Sequence, residues 1–74
     1  MLLVNIYHYN ENLQTEEERE IYINPSQIVS IGEDPTDPSY TEVVMSGGLY
    51  YYVAMPLEVF LSYYETEMYK RPLQ

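Results

Sequence analysis

The stretch YTEVVMSGGLYYYVAMPLEVFL, residues 40–61, decides how this chain is built. Two runs rich in Val and Tyr flank Gly47 and Gly48. Glycine accepts the positive φ that tight hairpin turns demand, so the pair predicts a β-hairpin. A two-residue loop at Gly47-Gly48 sets Ser46 opposite Leu49, Met45 opposite Tyr50, Val44 opposite Tyr51 and Val43 opposite Tyr52. Side chains alternate along a strand. One face of that hairpin then carries Val44, Leu49, Tyr51 and Val53, and the other Val43, Met45, Tyr50 and Tyr52. Neither face is polar, whereas a hairpin with one wet face alternates cleanly. A following helix covers one face. The other calls for a second cover, and this predicts a homo-oligomer.

The helix starts at Pro56, whose missing N–H is no loss in a first turn. Leu57, Phe60, Leu61, Tyr64 and Met68 form its apolar stripe. Glu58 lies near the positive end of the helix dipole, and Lys70 and Arg71 near the negative end. Glu67 is spaced to pair with Lys70 or Arg71, and Pro72 stops the helix.

Upstream, Leu2 to Tyr9 reads as a strand, with Leu2, Val4, Ile6 and His8 on its inner face and Leu3, Asn5, Tyr7 and Tyr9 on the other. Asn10 to Glu18 is polar, acidic and without a period, which predicts a mobile connection. Arg19 to Asn24 is a second strand, with Arg19, Ile21 and Ile23 on one face and Glu20, Tyr22 and Asn24 on the other. Asn24-Pro25-Ser26 is a turn. Gln27 to Gly32 is a third strand, and Glu33 to Ser39, with two prolines and three acids, is a loop. The expected fold is α+β: a small antiparallel sheet of about five strands, in the order β-β-β-β-β-α, with the C-terminal helix on one face. The 74 residues make a single domain, 1–74.

The pieces IYINPSQIVSI and TEVVMSGGLYYYVAMPLEVF, behind an N-terminal strand, resemble the small swarming-motility or flagellar proteins of the FlbD type and similar short proteins of phages and mobile elements. The likeness spans most of residues 1–67. It is carried by Asn24-Pro25, Ile28, Ile31, Gly47, Gly48 and Val53, all turn or apolar positions. It implies the fold and brings no functional residue with it.

Composition narrows the function. A domain of this size buries only about 60% of its unfolded surface and needs a staple. There is no cysteine, so neither a disulfide nor a thiolate zinc site is available. This fits a reducing cytoplasm. No apolar run reaches the length of a membrane span, and the N-terminus lacks the basic region of a signal peptide. The net charge is −9, with twelve acids against Arg19, Lys70 and Arg71. Such a chain is repelled by phosphate backbones, which argues against direct nucleic-acid binding and for a basic partner. Ten tyrosines against one Phe and no Trp favour interfaces and pockets.

Catalytic signals are weak. No nucleophile motif is present. His8 is the one histidine, and its strand parity makes it a packed or edge residue. Glu33, Asp34 and Asp37 lack the spacing of a calcium loop, and no cofactor motif appears. The expected protein is a non-enzymatic, stoichiometric binder. In one reading it is a phage or mobile-element counter-defence protein, whose oligomer holds a nucleotide-like host signal between tyrosines. The candidates are Tyr50, Tyr52, Tyr40 and Tyr22, with Arg19, Lys70, Arg71 and His8 supplying polar contacts. In a second it is an acidic, DNA-mimic-like inhibitor presenting Glu16, Glu17, Glu18, Glu20, Glu33, Asp34 and Asp37 to a basic host protein. In a third it is a flagellar or regulatory adaptor.

Overall fold

A computed structural model describes residues 1–10 and 12–69, with the side chains of residues 9 and 10 left aside. The elements are β1 (Leu2–Asn10), β2 (Thr15–Ile23), a short 3₁₀ turn (Pro25–Gln27), β3 (Ile28–Glu33), β4 (Thr41–Met45), β5 (Tyr50–Val53) and helix α1 (Leu57–Met68). The strands form one antiparallel sheet in the order β2-β1-β5-β4-β3. The helix packs across one face. The expected α+β architecture is therefore the observed one, with three local corrections.

The first correction is the β1–β2 connection. Residues 10–18 are not a long loop. β1 and β2 pair from Leu2↔Ile23 to Asn10↔Thr15, so Thr15 to Glu18 are strand, and residues 12–14 lie in a turn. Gln14 takes a left-handed φ of 53° there. The acidic run carries no apolar period because the helix does not reach this end of the ribbon. Backbone hydrogen bonds to β1, rather than burial, hold it as strand.

The second correction is the register of the β4–β5 hairpin. The Met45 N–H donates to the Leu49 carbonyl at 2.7 Å, and the Gly48 N–H to the Met45 carbonyl at 3.1 Å. The loop is Ser46-Gly47-Gly48, three residues, and the strands pair as Val43↔Tyr51 and Val44↔Tyr50. Gly47 and Gly48 both sit at φ 93°, a left-handed backbone open to glycine and strained for other residues. One residue of slip exchanges the faces of one strand relative to the other. Val43 and Met45 therefore join Tyr51 and Val53 under the helix, and Val44 joins Tyr50 and Tyr52 on the uncovered face.

The third is the helix stripe. Pro56 caps the helix from outside, at φ −60° and ψ 152°, and the last helical residue is Met68. Phe60 is fully buried, and Tyr63 and Tyr64 pack against the core beside it. Met68 is 40% exposed, so the stripe is turned toward Tyr63. The Tyr63 hydroxyl accepts from the Leu3 N–H at 2.9 Å, pinning the helix to the start of β1. Lys70, Arg71 and Pro72, and any pairing of Glu67 with them, lie outside the described residues.

The core is Leu2, Val4, Ile6, Ile23, Val43, Val53 and Phe60. Ile28 and Ile31 both pack against it, although three residues apart they would sit on opposite faces of a regular strand. A bulge between Ile28 and Ser30 resolves this. It leaves Val29 68% exposed and resets the alternation so that both isoleucines point inward. The Asn24 turn is as expected, with Asn24 Oδ1 accepting from the Ser26 N–H at 3.1 Å. Thr41 is buried without residual exposure, and its hydroxyl donates to the Met55 carbonyl at 2.7 Å. Among the described residues no helix is long and apolar enough to cross a membrane.

Candidate functional site

The uncovered face of the sheet is the surface the fold leaves over. Alternation and register together say what stands on it. Tyr7 is the cross-strand partner of Glu18 on β2 and of Tyr52 on β5, and Tyr52 is the partner of Glu42 on β4. A row Glu18–Tyr7–Tyr52–Glu42 thus crosses four strands, two tyrosines between two glutamates. Tyr22 stands opposite Leu3, and Glu20 opposite Asn5, on the same face. Tyr22 and Tyr50 are 67% and 58% exposed.

Where this face meets the β3–β4 loop, it dips into a cleft of about 550 Å³. Tyr7, Tyr40 and Tyr52 line it together with Glu16, Asp34 and Asp37. The Tyr7 and Tyr40 rings meet nearly at right angles, 80° with centroids 6.0 Å apart. Tyr50 and Tyr52 do the same at 82° and 5.7 Å. Perpendicular rings are a preferred aromatic geometry, and they make corners rather than a flat stack.

The loop that walls the cleft is built from a tandem sequence, Asp34-Pro35-Thr36 and Asp37-Pro38-Ser39. In each unit the aspartate accepts from a backbone N–H two residues on: Asp34 Oδ1 from Thr36 at 2.8 Å, and Asp37 Oδ1 from Ser39 at 2.9 Å. Asp34 Oδ1 also takes the Thr36 hydroxyl at 2.8 Å. These are the local turns Asp makes with its own backbone. The Asp34 N–H and the Tyr40 carbonyl close the loop at 3.1 Å. The backbone N–H of Thr36, and then its hydroxyl, hold the Asp34 carboxyl below its ordinary range. Loss of solvent, and next the Glu42 charge, push the Tyr52 phenol above its own.

Among the residues expected to bind, Tyr50, Tyr52 and Tyr22 share the uncovered face, and Tyr40 joins Tyr52 at the cleft. Arg19 does not. It pairs with Ile6, a core residue, and so lies on the helix side of the sheet. His8, paired with Glu17, has the same parity as Ile6 and also stands off the uncovered face. Lys70 and Arg71 lie outside the described residues. Of the acids, Glu33 pairs with the buried Thr41 and faces the helix side, whereas Glu16, Glu18, Glu20 and Glu42 face the tyrosines. The residues that the sequence did not single out are Tyr7 and Glu42. The outward parity of Tyr7 is readable, but its neighbour on β5 follows from the strand order. No group of three or more His, Asp or Glu placed to hold a metal ion occurs among the described residues.

The chain matches no protein-family model, no curated protein and no solved structure, so the FlbD-type resemblance rests on its turn and apolar positions alone.

Proposed function

We propose that this chain is a non-enzymatic, stoichiometric binding protein whose uncovered sheet face docks on a positively charged surface of a partner protein and blocks it. The observation that carries this reading is the composition of that one face. Half-buried Tyr7 and Tyr52 stand in register with Glu18 and Glu42, exposed Tyr22 and Tyr50 share their face, and Arg19, the cation of the described sheet, is on the other side. Tyrosines supply contact area at low entropic cost. Carboxylates spaced between them steer and orient a basic partner. The net charge of −9 adds long-range attraction. A cysteine-free chain suits such a role in a reducing cytoplasm.

Two other expectations rank lower. A phosphate-bearing ligand would meet Glu16, Asp34 and Asp37 at the cleft, so we place the basic partner ahead of a nucleotide-like signal. A second copy of the chain, docked face to face, would set the glutamates of one copy against those of the other. We therefore assign the face to a different protein rather than to a homo-oligomer.

The test uses an oligo-arginine peptide as a model basic surface and compares charge-matched variants. Glu18→Gln with Glu42→Gln, and separately Glu58→Gln with Glu65→Gln on the helix, remove the same charge. The first pair weakens binding about tenfold or more, and the second leaves it nearly unchanged. Equal losses from both pairs mean that binding follows net charge alone, and the assignment of the face is then wrong.

A further inference from the structure

We infer that the cleft between the uncovered face and the 34–40 loop is a cage for the guanidinium group of a single arginine side chain of the partner. The inference rests on the reading of this face as a site for a basic protein and names what the cleft takes.

The cleft, about 550 Å³, has three tyrosine rings and three carboxylates in its lining. Among the described residues no basic side chain shares that lining, so charge complementarity selects a cation. The perpendicular Tyr7 and Tyr40 rings form a corner, and a cation within about 6 Å of a ring centroid is attracted by the ring's negative face. Tyr52, in register with Tyr7, closes a further side. Asp34 and Asp37 do not swing freely, because each is anchored by the backbone N–H two residues on. A carboxylate held in place loses little entropy on binding. Planar aromatic walls with fixed carboxylates suit guanidinium better than ammonium. Guanidinium is flat, weakly hydrated and able to stack on a ring while its edge hydrogen bonds to a carboxylate. The loop therefore supplies the charge, the sheet supplies the walls, and the occupant is an arginine projecting from the partner's surface.

The experiment is a titration of the whole chain with a glycine-flanked, end-capped peptide carrying one arginine, read by the aromatic NMR signals of Tyr7, Tyr40 and Tyr52. The same peptide with citrulline keeps the shape and removes the charge. Expected are saturable shifts confined to those rings for arginine, and at least about tenfold weaker binding for citrulline. Tyr52→Leu weakens arginine binding about three- to thirtyfold, whereas Tyr52→Phe, which keeps the ring, holds it within that lower bound. Asp34→Asn with Asp37→Asn keeps an acceptor for each turn and removes the charge, so the fold survives while affinity falls about tenfold.

Equal binding of arginine and citrulline overturns the cage, as does a lysine peptide that binds as tightly as arginine. Shifts of the three rings with adenosine monophosphate but not with arginine overturn it too, and turn the cleft into a site for a planar anion. If oligo-arginine still binds through Glu18 and Glu42 while the single-arginine peptide leaves the cleft untouched, the cage falls and the broader reading stands. If neither peptide binds, both fall.

Discussion

Val43 pairs with Tyr51 across the β4–β5 hairpin, and this one pairing decides which residues the helix covers. It turns Val43 and Val53 into core, each without residual exposure, and leaves Tyr50 and Tyr52 outside. The pairing depends on the three-residue loop, whose two glycines both adopt φ 93°. Gly47→Ala or Gly48→Ala forces a Cβ into a left-handed backbone and costs about 1–2 kcal/mol in chemical denaturation. Gly32 has neither a positive φ nor any atom within 4 Å of an added Cβ. Gly32→Ala in strand β3 therefore stabilises by about 0.5–1 kcal/mol. The opposite sign at either site contradicts the backbone conformation found at that glycine.

Thr41 carries the buried polar contact that ties β4 to the segment before the helix. Thr41→Val keeps the shape and leaves the Met55 carbonyl without its 2.7 Å donor. The expected loss is about 1–3 kcal/mol. Thr41→Ser keeps the hydroxyl and loses one methyl group, for about 1 kcal/mol. Urea denaturation of the two variants separates the hydrogen bond from the packing.

Phe60 is the helix's buried anchor and stacks on Tyr64 with centroids 6.5 Å apart. Phe60→Ala removes about 3–5 kcal/mol, a large share of the stability of a domain this small. Its far-ultraviolet circular dichroism should show an unfolded or sharply destabilised chain. Met68→Ala, at the exposed end of the same helix, changes stability by about 0.5 kcal/mol or less.

Asp34 gives a pH dependence whose sign is fixed. Its folded carboxyl titrates below the ordinary value of 3.8 because the Thr36 N–H and hydroxyl favour the charged form. The contribution of this group to folding is therefore full above 3.8 and is lost as pH falls through the lower, folded value. The Thr36 amide resonance should report a midpoint below 3.8, with the loop loosening as Asp34 protonates. In Asp34→Asn that transition is absent. A midpoint above the ordinary carboxyl value contradicts the turn geometry.

Much of the fold was legible because its signals are local. Alternation gave Leu2, Val4 and Ile6 as the inner face of β1, Asn24-Pro25 marked a turn, and Pro56 opened the helix. What escaped depends on partners distant in sequence. Residues 15–18 have the composition of a loop and become strand because β1 lies beside them. The hairpin register turned on whether the loop holds two residues or three, and both Gly47-Gly48 readings satisfy the same glycine chemistry. The bulge at Val29 has no mark in QIVSIG beyond the need to bury both Ile28 and Ile31. At the site, Tyr50 and Tyr52 were visible as outward residues of a hairpin. Tyr7 and Glu42 became their neighbours only through the order β2-β1-β5-β4-β3.

The proposed function assigns recognition to the uncovered sheet face. The most direct measurement is an NMR footprint of an oligo-arginine peptide on the isotopically labelled chain, recorded at physiological salt, where nonspecific attraction is screened beyond about 8 Å. Shifts are expected to concentrate on Tyr7, Tyr50, Tyr52, Glu18 and Glu42, with Val59, Tyr63 and Glu65 on the helix unmoved. A footprint centred on the helix, or spread evenly over every exposed carboxylate, contradicts it.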